Sequence, residues 1–224
     1  MLIPSIDLMD GKIVQLIQGK DKALESGNFE AWIARFASYP LIQLIDLDAA
    51  MGMPANGDQV AHFVKSLPCQ VGGGVRTIER ARELLDSGAH RVIVGSSLFR
   101  GATINREFVE RLARDCGADR LVFAVDAKGG QIAVKGWKET IAVTPQDAIA
   151  ALEPFCAAFL YTHIDTEGLM AGFPLERARD LRGCTRRQLI VAGGIRSQKE
   201  VDELDDIGVD AVVGMAIYTG AFAV

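Results

Sequence analysis

Eight short apolar runs rich in Val, Ile and Leu punctuate the chain: LIPSI (2–6), LIQLID (41–46), CQVGG (69–73), RVIVG (91–95), RLVFAVD (120–126), AFLYTHI (158–164), QLIVAG (188–193) and DAVVG (210–214). Nearly continuous apolar runs, unlike strict alternation, mark strands covered on both faces, as in a parallel sheet flanked by helices. Between them apolar residues recur at helical spacing: Ile78, Ala81, Leu84 and Leu85 in TIERARELLDSG, and Val201, Leu204 and Ile207 in SQKEVDELDDIG. These two stretches open on Thr77 and Ser197, which can cap a helix, and close on Gly88 and Gly208, which can turn left-handed. Eight strands alternating with helices, with no Pro/Gly/Ser-rich linker, predict an α/β fold: one (β/α)8 barrel over residues 1–224 rather than an open doubly wound sheet.

The chain also repeats itself. At an offset of 120 residues, VGGGVRTIERARELLDSG (71–88) aligns with VAGGIRSQKEVDELDDIG (191–208), with identities at Val71/Val191, Gly73/Gly193, Gly74/Gly194, Arg76/Arg196, Glu83/Glu203, Leu84/Leu204, Asp86/Asp206 and Gly88/Gly208. Eight identities in 18 positions exceed what shared amphipathicity produces. Asp7 lies 119 residues before Asp126, and Gly95 of VIVGSSLF matches Gly214 of VVGMAIY. The expectation is a half-barrel duplication, with repeats of about 1–118 and 119–224, which suits a closed ring and not an open sheet.

Composition narrows the class. With 49% hydrophobic and 24% charged residues the chain buries a core and lies far from the signature of disorder. A net charge of −5 without a Lys/Arg block argues against a nucleic-acid or anionic membrane partner. No apolar run approaches the ~18 residues that span a bilayer, so a soluble cytoplasmic protein is expected. Cys69, Cys116, Cys156 and Cys184 have no CxxC spacing, which predicts free thiols with neither disulfide nor zinc.

In such a barrel chemistry gathers at the C-terminal ends of the strands. Asp7 and Asp126 end the first and fifth strands, on opposite sides of the ring, where two carboxylates can divide the roles of general base and general acid. The plainer alternative is that each caps a helix or pairs with Lys12 or Lys128. Gly73, Gly74 and Gly193, Gly194 end strands three and seven, and Gly95, Ser96 and Gly214, Met215 end strands four and eight. Glycine lets backbone N–H groups approach an anion closely, so the doubled set predicts two phosphate sites and a small-molecule substrate phosphorylated at both ends. Taken singly, a glycine pair serves only a tight turn.

The segments IPSIDLMDGKIVQLIQG, IDLDAA (45–50), VGGGVRT, VIVGSSLF, VDAKGGQIAVKGWKE (125–139), TEGLMAGF (166–173), VAGGIRS and VVGMAIYTG resemble the phosphoribosylformimino-aminoimidazole carboxamide ribotide isomerase family of histidine biosynthesis, from residue 2 to about residue 222. That resemblance implies an Amadori rearrangement of an aminoaldose to an aminoketose, without cofactor or metal. It also implies Asp7 as general base, Asp126 as general acid, Thr162 as assistant to the acid and Trp137 stacked on the substrate's carboxamide ring. Arg76 would make a polar contact, and Gly168 would line the site. Gln15, Gln43, Glu167 and Met215 depart from the family pattern, the first and last removing basic side chains. His163 alternates away from Thr162 and is expected to be structural. His62 and His90 read as surface or packing residues.

Three alternatives stay open: an isomerase that also accepts phosphoribosylanthranilate, the sister cyclase that closes an imidazole ring, and a non-catalytic bis-phosphate-binding barrel. The stretches 19–28, 127–139 and 166–173 read as mobile lids. A monomer, with weak self-association allowed, is the expected state. At 224 residues the chain falls below the ~250 typical of the fold. A last outer helix that is short or absent follows, with an exposed apolar strip between the first and seventh helices.

Overall fold

A computed structural model describes residues 1–222. Eight strands form the central sheet: β1 (Leu2–Met9), β2 (Ile42–Asp46), β3 (Cys69–Gly72), β4 (Arg91–Val94), β5 (Leu121–Ala124), β6 (Ala158–Thr162), β7 (Gln188–Ala192) and β8 (Val209–Val213). Each lies parallel beside the next, and β8 pairs with β1 through Leu2 opposite Ala211, so the sheet closes on itself. Helices α1 (Phe29–Phe36), α2 (Gly57–Ser66), α3 (Ile78–Asp86), α4 (Arg106–Cys116), α5 (Pro145–Leu152), α6 (Leu175–Gly183) and α7 (Gln198–Asp205) fall between successive strands, and the four-residue α8 (Met215–Tyr218) follows β8. This is a (β/α)8 barrel, with strands where the apolar runs predict them. Thr77 and Ser197 cap α3 and α7, their hydroxyls accepting from the amides of Arg80 and Glu200.

Closure divides the apolar residues into two cores. Ile3, Leu41, Ile93, Val122, Leu160, Ile190 and Val212 fill the inside of the ring. Their neighbours of opposite parity, such as Ile6, Leu44, Val71, Phe123, Phe159 and Val191, pack outward under the helices. No helix among the described residues is long and apolar enough to cross a membrane.

The interior is not wholly apolar. Alternate positions of the runs carry Gln43, Gln70, Arg91, Gln188 and Asp210, and these join into one column. The Arg91 guanidinium donates to the side-chain oxygens of Gln188 (2.6 Å) and Gln70 (3.0 Å). Gln70 donates onward to Gln43 at 3.1 Å, and Gln188 to Asp210 at 2.6 Å. Asp210 also pairs with the Met1 amine at 2.8 Å. Burial pushes the Arg91 guanidinium below its ordinary pKa, and the negative charge of Asp210 opposes that shift. The column runs from Arg91 and Gln188 at the N-terminal pole to Gln43 at the floor of the mouth.

The expected apolar strip between α1 and α7 is absent among the described residues. Trp32 of α1 lies 4.1 Å from the Tyr218 ring, centroid to centroid, and 5.5 Å from that of Phe36, and Phe222 is buried. The guanidinium of Arg35 lies 5.0 Å from the Trp32 ring centroid and covers it further. Short as it is, α8 therefore supplies an aromatic ring that closes the gap. The exposed large apolar residues, Leu24, Met51, Met53 and Leu169, lie elsewhere.

Replacing Arg91 by Leu leaves the buried amide oxygen of Gln70 and the partly buried one of Gln188 without that donor. A loss of about 2–4 kcal/mol in urea denaturation is the expected result, with a much smaller effect on kcat and KM, because Arg91 stands at the N-terminal pole and meets the cavity described next only through Gln70 and Gln43.

Candidate active site

The C-terminal mouth holds a cavity of about 600 Å³, and every site residue singled out from the sequence lines it. Parity explains the catalytic candidates. Asp7 continues the inward series Ile3, Ser5; Asp126 continues Val122, Ala124; Thr162 continues Ala158, Leu160. His163, one residue on, turns away, and its ring meets the Thr166 hydroxyl at 2.9 Å. His62 and His90 are exposed.

The two glycine turns repeat one geometry. Gly73 and Gly193 have φ of 105° and 110°, and a Cβ on either would strike backbone, the Asp46 carbonyl in one case and the His163 carbonyl in the other. Only glycine fits there, which is why the backbone of each turn can lie at the cavity wall. Gly95 (φ −120°, ψ −102°) and Gly214 (φ −108°, ψ −95°) likewise share one conformation at the ends of β4 and β8. The turns with Gly73, Gly74, Gly95 and Ser96 occupy the β3–β4 side, and those with Gly193, Gly194, Gly214 and Met215 the β7–β8 side.

The three polar stretches are built as antiparallel and turn excursions above the mouth. A hairpin of Lys12–Ile17 and Asp21–Ser26 extends β1. Short strands at Ala127–Lys128, Gln131–Val134 and Glu139–Thr140 follow β5. Backbone amides tie the excursions together: that of Gln18 donates to the Glu167 carbonyl at 3.1 Å, and that of Gly129 to the Asp165 side-chain carboxylate at 3.0 Å. Trp137, at φ 64°, lies against Gly19 of the hairpin.

Asp7 and Asp126 sit in unequal surroundings. Burial raises Asp7 to about 6, opposed by a hydrogen bond from the Ser5 hydroxyl at 3.1 Å. Asp126 is also raised by burial, but it accepts from the Trp137 indole at 2.9 Å and from the Thr162 backbone amide at 3.2 Å, and both favour its ionised form. Arg76 spends two donors on the carbonyls of Ala49 (3.0 Å) and Ala50 (2.7 Å), so it braces the helix Leu47–Met51 beside the cavity. The Ser96 hydroxyl accepts from the Lys135 amide at 2.8 Å, which ties the β4 turn to the excursion that carries Trp137.

One functional group was missed as such. Glu167 lines the cavity, and burial first, then the negative charges of Asp7 and Asp126, push it up to about 8. By surface area it is partly buried, and its place in the cavity wall costs the carboxylate its solvation. Its signal in the sequence was its place before Gly168 in a polar loop and its departure there from the family pattern. A neutral carboxyl therefore stands near two acids at neutral pH.

The sequence pattern of the family described as Histidine biosynthesis protein matches residues 1–223. The chain belongs to that family. It is 36% identical to the 1-(5-phosphoribosyl)-5-((5-phosphoribosylamino)methylideneamino)imidazole-4-carboxamide isomerase of Methanocaldococcus jannaschii, over 98% of this chain and 94% of the relative. Isomerases of the same name from Archaeoglobus fulgidus (35% identical, covering 97% and 92%) and Methanothermobacter thermautotrophicus (34%, covering 98% and 94%) match along nearly their whole lengths. Similarity to family members thus spans both glycine turns and all three excursions.

The Glu167 carboxyl has a stability signature. Its pKa is raised in the folded chain, so the unfolded chain gives up its proton in the ordinary carboxylate range while the folded one holds it to about 8. The stabilising contribution is full below the ordinary range and is lost as pH rises to about 8. Glu167→Gln should therefore gain stability over wild type as denaturation is measured from about pH 5 up to about pH 9. An equal pH profile for both proteins would count against the assignment.

Proposed function

We propose that the chain is an aldose–ketose isomerase acting on the bis-phosphorylated aminoaldose ribotide named in its relatives, which it converts to the aminoketose in histidine biosynthesis. The observation that carries this reading is the placement of Asp7 and Asp126 in one cavity, flanked by two like glycine turns. A phosphate at each turn suspends the sugar between the carboxyls.

The chemistry then follows from position. Asp126 gives a proton to the ribose ring oxygen as the C1–O bond breaks, and the nitrogen lone pair on C1 forms an iminium. Asp7 takes the proton from C2, and the C–H electrons form the C1–C2 double bond. Protonation at C1 and loss of the C2 hydroxyl proton leave the ketose. C2 is oxidised and C1 reduced within one molecule, so the step needs no external electron acceptor. A base with pKa of about 6 is well matched to neutral pH, ionised yet basic enough to work.

Asp126 reaches its acid role through Trp137. In the free protein the indole N–H favours the carboxylate. When Trp137 moves onto the substrate ring, Asp126 loses that donor and its pKa rises, so the acid is armed by binding. Thr162, with its amide on Asp126, holds the carboxyl in place through the cycle. The neutral Glu167 keeps the charge of the mouth low enough to admit a doubly phosphorylated ligand.

Turnover of the aminoaldose ribotide, followed by absorbance after coupling to the cyclase, tests the proposal; binding without turnover would defeat it. Asp7→Asn and Asp126→Asn should each lower kcat by about 100- to 10,000-fold with substrate affinity nearly kept. Trp137→Phe keeps an aromatic face but removes the donor to Asp126. It should move the falling limb of the kcat/KM–pH profile to higher pH, and an unmoved limb would remove Trp137 from the control of the acid.

A further inference from the structure

Gln15 is 4% exposed, and its side-chain nitrogen is buried with no hydrogen-bond partner among the described residues. Buried donors in folded proteins are paired almost without exception, so an orphan calls for a partner that arrives from outside. The amide stands on the hairpin strand Lys12–Ile17, pressed against the turn that follows β8. A Cβ built on Gly214 would lie 2.5 Å from Gln15 Oε1 and 3.6 Å from its Nε2. Glycine at 214 is thus what makes room for the amide, and both residues line the cavity.

We propose that the Gln15 amide is a specificity-determining donor for the phosphate held at the Gly214 turn, supplying a neutral N–H there in place of a charged side chain. The reasoning rests on the isomerase reading for the identity of the ligand, but not for the presence of the site. The carbonyl oxygen faces Gly214, and the donor has no protein partner among the described residues. The terminal torsion of Gln is broad and roughly two-fold, so a half-turn presents N–H at the same place. The oxygens of a dianionic phosphate accept and do not donate, and they select that second orientation. Met215, the next residue on, brings no charge, so this side of the mouth relies on backbone and amide hydrogen bonds.

Two variants separate binding from packing. Gln15→Leu fills the space without a donor, and Gln15→Glu keeps the shape but replaces the donor with an acceptor. Both should raise KM for the bis-phosphorylated aminoaldose at least about ten-fold with a smaller effect on kcat. A packing residue would give melting-temperature losses with an unchanged KM, and that result overturns the proposal. The second measurement uses inorganic phosphate alone, without catalysis. Wild-type melting temperature should climb by a few degrees in excess phosphate, and the climb should be at least halved in Gln15→Leu. Equal climbs, or none in wild type, overturn the proposal. Failure of wild type to turn over substrate while the phosphate shifts hold would sink the isomerase reading and leave the Gln15 site standing.

Discussion

Pairing of β8 with β1 is the constraint on which the rest depends. Once the ring closes, every strand has one inward and one outward series, and a residue's parity decides whether it meets solvent-filled mouth, barrel interior or helix. Asp7, Asp126 and Thr162 face the cavity because they extend inward series whose earlier members are core residues. The same parity puts Gln43, Gln70, Arg91, Gln188 and Asp210 in the interior, where they must satisfy one another. An open edge at β1 or β8 would release both sets at once.

Burial at the mouth produces the chemistry and also its cost. Three carboxyls share a cavity from which bulk water is partly excluded, and all three are raised. They differ in donors: Asp7 has one hydroxyl, Asp126 has an indole and a backbone amide, and Glu167 has only neighbouring negative charge against it. Unequal donors on otherwise like groups separate their proton affinities, which is what a base and an acid in one site require.

The strands were legible because a parallel strand covered on both faces has to be apolar throughout, and the glycine turns because the chain carries two of them with nearly the same residues. Other parts were hidden for definite reasons. TEGLMAGF reads as solvated loop, and Glu167 loses solvent because a hairpin far away in sequence packs against that loop. In the antiparallel strands after β1 and β5, Lys12–Ile17 and Gln131–Val134 are largely buried while their partners Asp21–Ser26 and Glu139–Thr140 are exposed, so only one strand of each pair carries an apolar pattern. The polar column left a trace, a Gln at alternate positions of LIQLID and CQVGG, but its partners lie on other strands. Trp32 and Tyr218 are separated by nearly the whole chain, so their stacking, which removes the expected apolar strip, is a property of closure alone.

The excursions over the mouth are joined mostly through main-chain groups: the amides of Gln18 and Gly129, the carbonyl of Glu167, the glycine surface beneath Trp137. Cohesion carried by backbone is indifferent to most side-chain replacement. Cavity-facing residues of these segments other than Trp137 can therefore change while the cover keeps its shape, which makes this face of the barrel a place where new substrate preferences can evolve, or be engineered, in single steps.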